Sequence, residues 1–149
     1  MMEEIRLASS LGHITEEAGL KCLKELETIK ATQRRLESAF GPSVIHADLS
    51  LGNILITEQG LVPIDFSLSG YGSLAQEAGM LMSNYRDDES CQKLLDGFDK
   101  AGVKIDATDA DIFLSYSVLL FICSHHNKVF REEWFGNALK MWCENMFVH

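Results

Sequence analysis

Apolar residues recur at helical spacing along most of this chain, and as short strand-like runs in one stretch only. Leu20, Leu23, Leu26, Ile29, Leu36 and Phe40 mark one helix face. Thr15 opens that helix as a hydroxyl cap, with Glu16 and Glu17 supplying acid to its first turn. Gly41–Pro42 closes it, the glycine fitting a left-handed cap and the proline unable to continue the ladder. Ser73 and Gln76 have capping-box spacing and predict a second helix that turns Leu74, Ala78, Leu81 and Met82 inward. Arg86–Glu89 interrupts the pattern and offers Asp87 or Asp88 as the next cap. The helix that follows carries Cys91, Leu94, Leu95 and Phe98 on one face and stops at Gly102. Thr108 with Asp111 predicts a further start. That helix, running to about Asn127, is apolar nearly all round through Ile112, Phe113, Tyr116, Val118, Leu119, Leu120 and Ile122, as expected of the central helix of a bundle. A last helix, from about Glu132 to Phe147, is expected to bury Trp134, Phe135, Leu139, Trp142 and Met146. Residues 1–13 carry weak signals and are expected to fray.

The exception to the helical period is Val44 to Phe66, VIHADLSLGNILITEQGLVPIDF. Three apolar runs, Val44–Ile45, Ile54–Ile56 and Leu61–Ile64, each lie beside a polar residue that packing alone does not call for. Those residues are His46, Asp48, Asn53 and Asp65. Glu58, Gln59 and Gly60 read as a hairpin turn between the second and third runs. A hairpin after a sharp loop is expected to draw Asp48, Asn53 and Asp65 together. Two carboxylates and an amide oxygen form the hard donor set that Mg²⁺ prefers. The expected fold is therefore α+β and predominantly helical, with one small β-hairpin, in a single domain over residues 1–149.

Composition narrows the function classes. A chain of 149 residues can bury a sizeable core. Its net charge of −9 argues against a nucleic-acid surface. The N-terminus lacks the apolar segment of a signal peptide, and the longest uninterrupted apolar run, Val118–Cys123, is too short to span a bilayer. Cys22, Cys91, Cys123 and Cys143 have no paired spacing and read as reduced thiols of a cytoplasmic protein, with no membrane partner. Cys123 with His125–His126 lacks a second ligand pair for a metal, and histidines near a helix C-terminus suit the dipole. The aromatics Trp134, Phe135, Trp142 and Phe147 could line a pocket for a cation, but their helical spacing favours core packing.

His46-Ala-Asp48-Leu-Ser-Leu-Gly-Asn53, followed beyond a hairpin by Ile64-Asp65-Phe66, resembles the catalytic core of the protein-kinase-like phosphotransferases. The nearest branch is that of the aminoglycoside phosphotransferases and choline kinases, with His-x-Asp-x-x-x-x-Asn and then Ile-Asp-Phe. The resemblance covers Leu36 to about Gly79, and Leu94-Leu95-Asp96-Gly97-Phe98 adds the family's leucine–glycine–aromatic helix. It implies that Asp48 takes the proton of a substrate hydroxyl, that Asn53 and Asp65 hold Mg²⁺ against the phosphates of ATP, and that His46 and Glu77 brace the loop. Phosphoryl transfer needs mostly an oriented nucleophile and neutralised charge, which such a set supplies. Ser50 and Leu51 stand where the family often has His-Pro, Ser67 where it has glycine, and Ser73 where it has aspartate. None of these is an implied ligand.

The family also clamps ATP with an upper lobe that carries a phosphate loop and a strand lysine. The residues before His46 read as helix, and no such loop is present. Lys21, Lys24 and Lys30 fall on the helical pattern and read as solvated. The chain thus resembles a C-terminal catalytic lobe with its N-terminal lobe absent. The activity implied is transfer of a γ-phosphoryl group to a hydroxyl of an aminoglycoside-, choline- or sugar-like acceptor. A separate N-terminal lobe or a homodimer partner would cover the apolar surface left open. The alternative is an inactive binding or scaffold module.

Overall fold

The structure is a computed structural model that describes residues 1–85 and 87–144. Among these are six α-helices: α1 (Met2–Ser10), α2 (Glu16–Phe40), α3 (Leu74–Met82), α4 (Asp88–Lys100), α5 (Ala107–Val129) and α6 (Glu133–Cys143). Four short strands join them: β1 (Ser43–Ile45), β2 (Ile54–Thr57), β3 (Gly60–Pro63) and β4 (Gly70–Gly72). The expected predominance of helix holds. The sheet content is larger than the one expected hairpin. Besides β2–β3, strand β1 pairs antiparallel with β4, Val44 facing Tyr71. That ladder links chain segments on either side of the hairpin, so local turn chemistry gave no sign of it.

Caps explain most boundaries. The Thr15 hydroxyl accepts from Ala18 N, Ser73 Oγ from Gln76 N at 3.1 Å, and Asp87 from Ser90 N. Gly41 takes the left-handed conformation after α2. At α5 the cap is Asp106, whose carboxylate accepts from Thr108 N, rather than Thr108 itself. A carboxylate two residues upstream reaches the orphan N–H groups first. Arg86, Met146 and Phe147 lie outside the described residues.

The chain divides into two compact units. The first comprises Met1–Ile29 and the residues from Ser115 onward; the second is Lys30–Leu114. In the first, α1 replaces the expected frayed end, because Ile5 and Ala8 are fully buried. Lys21, read as solvated, donates to the Trp142 carbonyl and lies over the Trp142 ring, capping α6. Phe135, Leu139 and Trp142 are buried as expected, but Trp134 is half exposed and meets Phe121 edge-on. In the second unit, Ala78, Met82, Cys91 and Ala110 form a small core, with Leu94, Leu95 and Phe98 packed against it.

Helix α2 buries Cys22, Leu26, Ile29 and Leu36, while Leu20 and Phe40 at its ends face solvent. Helix α5 buries Ala110, Phe113, Leu119 and Ile122 along one side, and Phe121 is exposed, so it is not enclosed on all sides as expected. By length and composition alone α5 could also cross a bilayer, which a count of uninterrupted apolar residues did not reveal. Core helices of soluble proteins meet the same test.

Candidate active site around the β1–β2 loop

His46, Asp48, Asn53 and Asp65 all lie in the second unit, between the end of β1 and the start of α3, and Glu77 lies in α3. Strand β1 ends at buried Ile45, and the buried His46 follows. His46 Nε2 lies 2.8 Å from the Ile64 carbonyl. A carbonyl only accepts, so Nε2 carries a proton and donates it. The other ring nitrogen, Nδ1, is buried and has no partner among the described residues. The ring also meets Phe66, with centroids 4.6 Å apart. His46 therefore ties the start of the loop to the residue before Asp65.

Ala47 adopts φ 62°, a left-handed conformation that costs a non-glycine residue about 1–3 kcal/mol. Its N–H donates to Glu77 Oε2 at 3.0 Å, across from α3. Glu77 is buried, so this bond fixes the bend where water cannot compete. The bend sends the chain into Asp48. Asn53 Nδ2 donates both to the Asp48 carbonyl, at 2.8 Å, and to Asp48 Oδ2, at 3.1 Å. This pair of hydrogen bonds orients the Asp48 carboxylate and turns the Asn53 amide oxygen away from it.

Asp65 follows from the hairpin. Asn53 O accepts from Ile64 N at 2.9 Å, extending the β2–β3 ladder by one pair. Asp65, the next residue, has φ 60° and is exposed. Ala47 and Asp65 are the two non-glycine residues with positive φ among the described residues, and both flank the same site. The Ser67 side chain and then its backbone N–H hold the Asp65 carboxyl below its ordinary range. The structure thus brings Asp48 and Asn53 into contact and ties Ile64, the residue before Asp65, to Asn53 through one backbone bond. The Asp65 side chain itself turns to Ser67.

No group of three or more His, Cys, Asp or Glu side chains able to hold a metal exists among the described residues. Asn53 and Asp65, expected to hold a cation, offer one amide oxygen and one carboxylate. Such oxygen donors are the types a hard cation takes beside water and substrate phosphates. The His126 ring, considered for a metal with Cys123, instead meets His13, Nδ1 to Nδ1 at 2.9 Å. Sequence reasoning missed Ala47, since alanine carries no left-handed signal. It also missed Ser67 as a partner of Asp65, although an aspartate two residues before a serine is a turn pattern.

No curated protein and no solved structure matches the chain. A family model described as "Phosphotransferase enzyme family" matches residues 5–110, a span that contains the whole site. The chain belongs to that phosphotransferase family, the one of the aminoglycoside phosphotransferases and choline kinases.

Proposed function

We propose that this chain is the catalytic lobe of an ATP- and Mg²⁺-dependent kinase of small molecules, acting on a hydroxyl of an aminoglycoside-, choline- or sugar-like acceptor. The observation that carries the reading is the double hydrogen bond from Asn53 to Asp48, with the Asn53 carbonyl accepting from Ile64, the residue before Asp65. It leaves one Asp48 oxygen for an acceptor hydroxyl and one Asn53 oxygen for a cation. Asp48 would orient the hydroxyl and take its proton as the bond to phosphorus forms. Asn53 and Asp65 would hold Mg²⁺, which when bound neutralises charge on the phosphate oxygens. His46 and Glu77 hold the loop and touch no reacting atom. A nucleotide-binding lobe would come from another polypeptide or from a longer chain.

Calorimetry with Mg-ATP tests this directly. The chain is expected to bind, and Asp65→Ala to abolish most of the heat. Binding unchanged by that substitution would remove the proposed metal site. With an upper lobe supplied, Asp48→Asn is expected to lower kcat by about 10²–10⁴-fold, the usual contribution of a positioned base.

A further inference from the structure

Two histidines meet inside the first unit, and their contact constrains where protons sit. His13 follows α1, and His126 lies in the last turn of α5. Their Nδ1 atoms are 2.9 Å apart, a hydrogen-bond distance. Two bare nitrogens cannot bond, and neither can two N–H groups. One Nδ1 therefore carries a proton and the other is bare. His126 Nε2 lies 3.6 Å from Glu4 Oε2. That carboxylate favours a proton on Nε2, which in a neutral ring leaves Nδ1 bare. His13 is then the donor, as the Nδ1–H tautomer.

The bond fastens the loop after α1 to α5. The N–H groups of His13 and Ile14 both donate to the Ala8 carbonyl, and Ile14 is buried, so the loop is held closely at its α1 end. At its α5 end the His13 ring stacks on Phe130, with centroids 3.9 Å apart, and bonds His126. A ring face accepts a cation, so the stack survives a charge on His13. The bond does not survive a proton on both facing nitrogens. His126 is buried, only 4% exposed, and so cannot turn to water instead.

Few other charges compete at this contact. Glu4 of α1 is the group against His126. Beside His13, a cleft is bordered by Glu17 of α2 and by Lys140 and Glu144 at the end of α6. Arg131 lies over the Phe130 ring. Burial raises the thiols of Cys123, one turn before His126, and of Cys143, on the cleft, so both stay protonated and neutral.

We propose that the His13–His126 pair is a proton-operated latch on the loop between α1 and α2. It is closed while one facing nitrogen is bare and opens when both carry protons. His13 is the part that leaves, since its ring is partly exposed while His126 is enclosed and held by Glu4. Opening takes up a proton, so the closed form is favoured at higher pH and lost as pH falls. Histidine changes charge between about pH 5 and 8, which sets the range to search. The latch does not depend on the phosphotransferase reading.

Imidazole nitrogen NMR and amide hydrogen exchange of the full chain across that range test it. At the alkaline end His13 is expected as the Nδ1–H tautomer and His126 as the Nε2–H tautomer, with a nitrogen–nitrogen coupling across their bond. On acidification the coupling is expected to vanish. Protection of the His13 and Ile14 amides is expected to fall by up to about tenfold per pH unit, the slope of one proton taken up on opening. His13→Phe keeps a ring on Phe130 without the bond, so its protection is expected to be low throughout and to show no such slope. Glu4→Gln removes a charge that favours protonation of His126, so opening is expected to move to lower pH. Protection that stays level across the range in the wild type, or that falls equally in His13→Phe, would overturn the proposal. So would the Nε2–H tautomer on both rings at the alkaline end.

Discussion

At the scale of single residues, the site is a set of hydrogen bonds that hold two strained positions. Ala47 bends against its preference because Glu77 accepts its N–H in a buried place. Glu77→Ala leaves that N–H without its acceptor and is expected to cost about 1–3 kcal/mol in chemical denaturation. Glu77→Gln keeps an acceptor and should cost less. Asp65 is held ionised by Ser67, so its pKa lies below the ordinary value. A depressed carboxyl keeps its contact at neutral pH and loses it as pH falls through the folded value. Ser67→Ala is expected to raise the Asp65 pKa towards the ordinary value, which carbon-detected NMR titration of that carboxyl measures. An unmoved titration would detach Ser67 from the site.

At the scale of elements, close approach matters more than propensity. A methyl group at Gly79 would collide with the Ala110 carbonyl and the Phe113 side chain, because α3 meets α5 backbone to backbone there. Gly79→Ala is expected to destabilise by about 1–3 kcal/mol, an overpacking cost. Gly97 in α4 faces open space, and Gly97→Ala is expected to stabilise by about 0.4–1 kcal/mol. Parallel urea titrations of the two variants give both signs. The caps at Thr15, Ser73 and Asp87 and the β2–β3 turn were legible in the sequence because each rests on neighbours a few residues apart. The β1–β4 ladder was not, since its strands are separated by the entire site. Nor was Trp134, whose helical spacing matched the core while its position on α6 faces solvent.

At the scale of the whole molecule, the chain divides into two compact units, and the motif residues fall in the one formed by Lys30–Leu114. The order and spacing of His46, Asp48, Asn53 and Asp65 were readable before any fold was known, because chemistry fixed the residue types. Their bonds were not: which atom of Asn53 faces Asp48, and where Asp65 turns, depend on the bends at Ala47 and Asp65. The reading as a metal site rests on those bends. Titration with Mn²⁺, followed by paramagnetic line broadening in NMR, tests it without any second lobe. Signals of Asn53, Asp65 and Ser67 should broaden first and recover when Mg²⁺ competes. Broadening that begins elsewhere on this acidic chain and leaves those signals sharp would contradict the account.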